Sequence, residues 1–149
     1  MFKKLFQLIS KYRHRRWAIL LYWFTRISMS LTFVTSGIRK LPGVKFTLLG
    51  PDNPVGAYFI AMHNTGFYWN FIGYLQIVLG LMILINRLKV ITPLVMMPVT
   101  INIFLISVSL GMRGTPVITT AMVLANIFLM FWCYENYLPL LQKNKELKI

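Results

Sequence analysis

The chain has 149 residues, of which 57% are hydrophobic, and its 16 Lys and Arg against 3 Asp and Glu give a net charge of +13. This composition excludes an ordinary soluble domain and predicts a single all-α, polytopic membrane domain. Most basic residues flank apolar segments, so we expect this charge to meet anionic lipid headgroups and no nucleic acid. The single cysteine, Cys133, excludes an internal disulfide and is interpreted as buried packing.

The N-terminal residues 1–16 combine bulky apolar side chains with Lys and Arg. This mixture fits either a short amphipathic helix lying on an anionic leaflet or a solvated basic tail. The apolar run that follows is long and lacks a small-residue cleavage site, so we expect an uncleaved membrane anchor. Residues 135–149 form a polar, basic tail.

The first predicted span covers residues 17–41. One helical face carries an apolar stripe, and another carries small and polar residues, the kind that allow two helices to approach closely in lipid. The members of this second face are Arg26, Ser30, Phe33, Gly37 and Lys40.

Arg26 lies well inside the apolar run of the first span, where an arginine costs several kcal/mol unless a partner receives it. One interpretation is that Arg26 binds a substrate anion, a lipid phosphate or the carboxylate of a partner protein. Another is that it snorkels to the headgroups. A third is that neutral acceptors within the bundle receive it. The candidates for such acceptors are Gln76, Asn102 and Asn126.

The second predicted span covers residues 68–85, after a Pro- and Gly-rich connection in which 55–62 suggests a short interfacial or re-entrant helix. Gly73, Gln76 and Gly80 share one face of this span. Small residues on both sides of Gln76 would let the backbone of a neighbouring helix come close.

The third and fourth spans are predicted at 91–110 and 116–134. Asn102 and Asn126 lie within them and are interpreted as contacts between helices. Together the segments predict a four-transmembrane-helix bundle occupying residues 17–134. Basic residues are concentrated on the side of the N-terminus, which predicts that both termini lie in the cytoplasm.

Residues suited to catalysis are sparse. The two histidines, His14 and His63, have no neighbours with metal-ligand spacing, so no metal is expected. We therefore lean against a catalytic activity of this chain on its own. No cofactor is evident, and the alternative is a quinone whose carbonyl accepts hydrogen bonds from Arg26, Tyr74 or Gln76.

Two segments resemble the DoxX-like family of small four-span bacterial membrane proteins. They are SGIRKL at residues 36–41 and GYLQIVLGLMIL at residues 73–84, and the resemblance covers roughly residues 23–134. It implies a four-helix bundle in the bacterial inner membrane, and an association with quinone-linked redox assemblies. This chain departs from the family at Gln76, where a glutamate is common, and so a proton or ion-pair role at that position is not expected.

Three functional hypotheses follow. The first is an auxiliary or structural subunit that docks in a larger membrane complex, with lipids and other membrane subunits as partners. The second is a quinone-linked component of a membrane oxidoreductase. The third and weaker one is a carrier for a small anion or a lipid, for which four spans are few. For the first we expect contacts at the small and polar positions of the bundle: Arg26, Ser30, Gly37, Gly73, Gln76, Gly80, Asn102 and Asn126.

Overall fold

The computed structural model describes residues 15–137, so most of the predicted N-terminal segment and C-terminal tail lies outside the described residues. The described part is helical and contains no strand. A short 3₁₀ turn, Asn86–Leu88, separates the third helix from the fourth. Within residues 15–137 the α-helices with defined bounds are α1 Arg16–Ile38, α2 Pro54–Asn64, α3 Phe67–Met82, α4 Ile91–Ser109 and α5 Thr115–Trp132. Residues 134–137 are also helical.

Three of these helices, α1, α4 and α5, are long and apolar enough to cross a membrane. The expected all-helical fold is confirmed, and these three helices agree with a membrane protein. α3 is apolar but has only 16 residues. At 1.5 Å per residue it measures about 24 Å, against a hydrocarbon core of about 30 Å. By length, the structure thus gives three spans and one shorter helix, where the sequence predicts four spans.

The end of α3 lies three residues before the predicted one, because the chain tightens after Met82. The amides of Leu84 and Ile85 bond to the carbonyls of Leu81 and Met82 at 3.1 and 3.0 Å. Each bond joins residues three apart in the chain, which is the pattern of a 3₁₀ turn. This change of hydrogen-bond pattern leaves carbonyl groups at the end of α3 available to other partners.

Helices α1 and α3 run antiparallel and make the closest helix contact of the bundle. A Cβ atom added to Gly37 would lie 2.7 Å from the Gly73 carbonyl oxygen, and one added to Gly73 would lie 2.9 Å from the Gly37 oxygen. Two turns further along, a Cβ on Gly80 would lie 3.1 Å from the carbonyl oxygen of Ser30. The glycines therefore set the distance between the two helix axes.

Helices α4 and α5 form the second antiparallel pair, joined by polar side chains. The hydroxyls of Ser107 and Thr119 lie 2.8 Å apart in a hydrogen bond. Asn126 of α5 reaches α4 in the amide orientation that satisfies both of its ends. Its nitrogen then donates to the Pro93 carbonyl at 3.2 Å, and its oxygen accepts from the Met97 amide at 3.1 Å.

The two helix pairs meet less extensively than the helices within each pair, mainly through α1 with α5 and α3 with α4. At one end, Tyr22 of α1 stacks on Trp132 of α5 with ring centroids 4.8 Å apart. Apolar side chains fill the centre, and the stripe predicted for α1 faces outward. The buried core consists of Tyr22, Met29, Phe33, Leu79, Ile83, Met96, Met122 and Leu129.

Candidate functional site

The end of the bundle where α1 stops contains a cavity of about 440 Å³ between the two helix pairs, which we call the interhelical cavity. Its walls come from α1, α3, α4, α5 and the α2 region, and they are mostly apolar and aromatic. Representative wall residues are Phe46, Phe59, Leu75, Val99, Ile103 and Met122. A larger depression on the outside of α4 is shallow and has no charged residue in its lining.

Lys40 supplies a positive charge to the wall of this cavity. The turn that ends α1 places it there, because the Lys40 amide bonds to the Gly37 carbonyl at 2.9 Å. The side chain is only 6% exposed. Its Nζ donates to Ser36, at 2.8 Å to Oγ and 3.1 Å to the carbonyl. Lys40 lies beyond the end of α1. Burial of its ammonium lowers the pKa of Lys40 to about 8.

Aromatic rings surround the Lys40 ammonium. Nζ lies 4.7 Å from the ring centroid of Phe46 and 5.4 Å from that of Trp69. Such contacts attract a cation without neutralising it. Within residues 15–137 no carboxylate pairs with Lys40, and no acidic side chain lines the cavity.

Two further donors in the cavity wall have no acceptor among residues 15–137. The Ser36 hydroxyl donates to Gln76 Oε1 at 3.4 Å. The other end of this amide, Gln76 Nε2, has no partner among the described residues, although Gln76 is 0% exposed. Trp69 is 2% exposed, and its Nε1 also lacks a partner. An unsatisfied buried donor costs about 1 to 3 kcal/mol. Both residues are in the wall of the interhelical cavity, so an acceptor oxygen that reached either donor after a small side-chain movement would relieve that cost.

Arg26 lies near the middle of α1, away from the interhelical cavity, and is 1% exposed, so its guanidinium is buried in the bundle rather than extended to the headgroups. Its Nε donates to the Ile83 carbonyl at 2.8 Å, and one Nη donates to Asn86 Oδ1 at 2.8 Å. The rings of Trp23 and Tyr22 lie 4.5 and 5.2 Å from its Cζ. The other Nη has no partner.

The acceptors of Arg26 differ from the amides expected from the sequence. The prediction that an amide side chain at Gln76, Asn102 or Asn126 accepts hydrogen bonds from Arg26 is wrong. The turn after α3 instead brings the Ile83 carbonyl and the Asn86 side chain to the guanidinium. A helix C-terminus carries partial negative charge, which stabilises a nearby cation. The sequence shows where helices end, but it does not show which helix end lies beside which side chain.

The other candidate residues are distributed over three places. Ser30, Gly37, Gly73 and Gly80 lie in the α1–α3 contact, and Asn126 lies between α4 and α5. Gln76 and the exposed Asn102 line the interhelical cavity. Tyr74 is 54% exposed and does not line it.

Lys40, Ser36 and Trp69 were not among the candidate residues. For Lys40 a signal was present, because it continues the helical face of Arg26 and Gly37. For Trp69 a similar signal was present, because it lies four residues before Gly73 and seven before Gln76, on the helical face that these two share. Among the described residues no cluster of His, Cys, Asp and Glu is suited to a metal ion.

Comparisons with protein-family models, with curated proteins and with solved structures give no match for this chain. The resemblance to the DoxX-like family therefore stays a prediction. The fold and the site define a helical protein with three helices able to cross a membrane and a cavity lined by hydrogen-bond donors.

Proposed function

We propose that this protein is an accessory membrane component that binds an amphiphilic small molecule in the interhelical cavity. The observation that supports this function is the convergence of the buried Lys40 with the unpartnered donors of Gln76 and Trp69 on one mostly apolar space. Ligand sites of this kind combine apolar walls with a few polar groups that fix orientation. The walls would take an apolar body, and the donors would take an acceptor group.

We also propose that α3 is a fourth span and that the bundle lies in a bacterial inner membrane with both termini in the cytoplasm. α3 packs antiparallel along α1, from Gly73 beside Gly37 to Ile83 beside Arg26. The local bilayer can adapt to a helix a few ångströms short, at a modest cost. The basic residues favour this orientation, and the DoxX-like pattern of the first two spans supports the same arrangement.

A quinone is the second candidate for the ligand. Gln76 Nε2 and Trp69 Nε1 are buried donors of the kind that would bond a quinone carbonyl. Of the residues that the sequence suggested for a quinone, Gln76 lines the cavity, whereas Arg26 and Tyr74 do not. A quinone would make the protein part of a redox assembly, with electron transfer supplied by partner subunits.

The auxiliary role predicts partner proteins as well as a ligand. Arg26 finds its acceptors within the chain, so the lipid-facing surfaces rather than a charge pair at Arg26 would carry the docking. A carrier of a small anion or a lipid would also need release on the other side of the membrane, and it stays the weaker alternative.

The experiment is mass spectrometry of the protein purified from its native membrane in mild detergent. Wild-type protein is expected to carry a stoichiometric amphiphile in addition to bulk lipid, together with partner subunits. The variant Ile103→Trp, which fills the cavity wall, is expected to lose the amphiphile. Val108→Trp adds the same side chain at an exposed position of the same helix and is expected to retain it.

Equal ligand content in all three proteins would contradict the binding function. A ligand without any partner protein would leave the binding function in place and contradict the auxiliary role. Identification of the amphiphile as a quinone would favour the redox assembly.

A further inference from the structure

We propose that the ligand of the interhelical cavity is a single-chain amphiphile with a carboxylate head group, and that Lys40 is its counter-ion. This inference rests on the proposed binding function and specifies the charge and the shape of the ligand. It is carried by a buried cation that has no carboxylate partner among the described residues.

The charge of the ligand follows from Lys40. A buried charge is strongly unfavourable unless it is paired. The ammonium has three N–H donors, and Ser36 accepts two of them through its hydroxyl and its carbonyl. One N–H remains for a ligand, and neutral Ser36 does not balance the charge. A quinone carbonyl would accept a hydrogen bond but would leave the positive charge unpaired.

The head group follows from the neighbouring donors. The hydrogen bond from Lys40 to the Ser36 hydroxyl continues to Gln76 Oε1, and Gln76 Nε2 ends this chain without an acceptor. Trp69, whose ring lies beside the ammonium, adds a second unused N–H. A carboxylate has two oxygens with about four acceptor positions, which match the remaining N–H donors. A phosphate dianion would bring a second negative charge, whereas Lys40 is the one charged residue in the described lining.

The shape follows from the rest of the cavity. Away from Lys40 the walls are mostly apolar, with Leu75, Ile103 and Met122 as examples. Phe71 and Ile118 line the cavity and are also exposed on the bundle surface, so the cavity opens sideways toward the lipid-facing side. A volume of about 440 Å³ lies within the range of small-molecule sites. One alkyl chain leaving through this opening would meet mostly apolar surface.

The test measures saturable binding of palmitate and of 1-hexadecanol to the purified full-length protein in nanodiscs of a neutral lipid. The two probes share an alkyl chain and differ in the charge of the head group. Wild-type protein is expected to bind palmitate at least about tenfold more tightly, as for a charge-assisted hydrogen bond. Lys40→Gln is expected to abolish this preference, whereas Lys40→Arg keeps the charge and is expected to retain most of it.

Lys45→Gln is the matched control, because it removes one positive charge from the same connection at an exposed position outside the cavity lining. It is expected to leave the preference unchanged. Equal or tighter binding of hexadecanol by the wild-type protein would overturn the proposal, and this comparison does not depend on any variant. An equal palmitate preference in Lys40→Gln would overturn it as well.

Failure of this inference is distinguishable from failure of the proposed function. Binding of hexadecanol or of a quinone that Ile103→Trp removes would preserve the binding function and reject the carboxylate. If palmitate, hexadecanol and a quinone all fail to bind the wild-type protein saturably, both the function and the inference are rejected.

Discussion

Arg26 on α1 and Lys40 in the turn just after it are two buried cations, but their surroundings differ. Arg26 bonds to a helix-terminal carbonyl and to Asn86, so its charge meets the negative end of α3. Within residues 15–137 Lys40 donates hydrogen bonds to Ser36 alone, and it sits in a cavity wall beside unused donors. We therefore assign Arg26 to the stability of the bundle and Lys40 to the ligand.

Asn86→Ala tests the structural role of Arg26. The substitution removes one of two acceptors of a buried guanidinium and is expected to lower the free energy of unfolding by about 1 kcal/mol or more. Denaturant unfolding in detergent micelles measures this change. Asn102→Ala is the control, because Asn102 is exposed and makes none of these hydrogen bonds. Equal stability of the two variants would contradict the role of Asn86.

The pKa of Lys40 predicts how ligand affinity depends on pH. Because burial lowers this pKa to about 8, the ammonium loses its proton between pH 7 and pH 9. Since only the charged form pairs with a carboxylate, palmitate affinity is expected to fall about tenfold over this range. Equilibrium binding at the two pH values measures this change.

Hexadecanol controls for the pH prediction, because it fills the same cavity without a charge. Within residues 15–137 the other titratable side chains that line the cavity are Tyr58 and Tyr68. Burial and the neighbouring Tyr68 raise the pKa of Tyr58 above its ordinary value, away from this range. A palmitate affinity that stays constant from pH 7 to pH 9 would contradict the pairing with Lys40.

At the scale of elements, the C-terminal end of α3 explains how Arg26 is received. Carbonyl groups in the last turn of a helix have no amide four residues later to bond to. α3 ends at Met82, and the carbonyl of Ile83, directly after it, accepts from Arg26. The end of α3 and the burial of Arg26 are thus two aspects of one arrangement.

Gly37→Ala tests the packing of α1 on α3. A Cβ at this position would lie 2.7 Å from a backbone oxygen of α3, so the helices would have to move apart. We expect the variant to lose about 1 to 3 kcal/mol of stability, the usual cost of overpacking. Thermal unfolding in micelles would show the loss. Gly50→Ala makes the same substitution where nothing lies within 4 Å, and a matching loss there would contradict the interpretation.

For the whole molecule, a fourth span at α3 places the connection between α1 and α3 and the connection between α3 and α4 on opposite sides of the membrane. In a Cys133→Ser background, Asp52→Cys is expected to react with an impermeant maleimide added outside intact cells. Arg87→Cys is expected to react only after the membrane is permeabilised. Both residues are exposed, so accessibility within the protein does not separate them. Labelling of both from outside would exclude α3 as a span.

The whole molecule also creates the cavity, which belongs to no single helix. Glycines hold α1 against α3, and hydrogen bonds from Thr119 and Asn126 hold α5 against α4. Each pair is tightly joined, so the looser junction between the pairs leaves space. The turn after α1 and the start of α3 then place Lys40 and Trp69 at the end of that space.

The amino-acid sequence by itself determined the helical class, the helix positions to within a few residues and the face of α1 that is buried. These follow from hydropathy and from helical periodicity, which are local properties. Only the tertiary structure decided which acceptors receive Arg26 and which donors meet in the cavity. Lys40 lies in the turn after α1, whereas Trp69 and Gln76 lie on α3, so the relation of the lysine to the other two depends on the close approach of Gly37 and Gly73. Periodicity gives the direction of a side chain but not the neighbour that it meets.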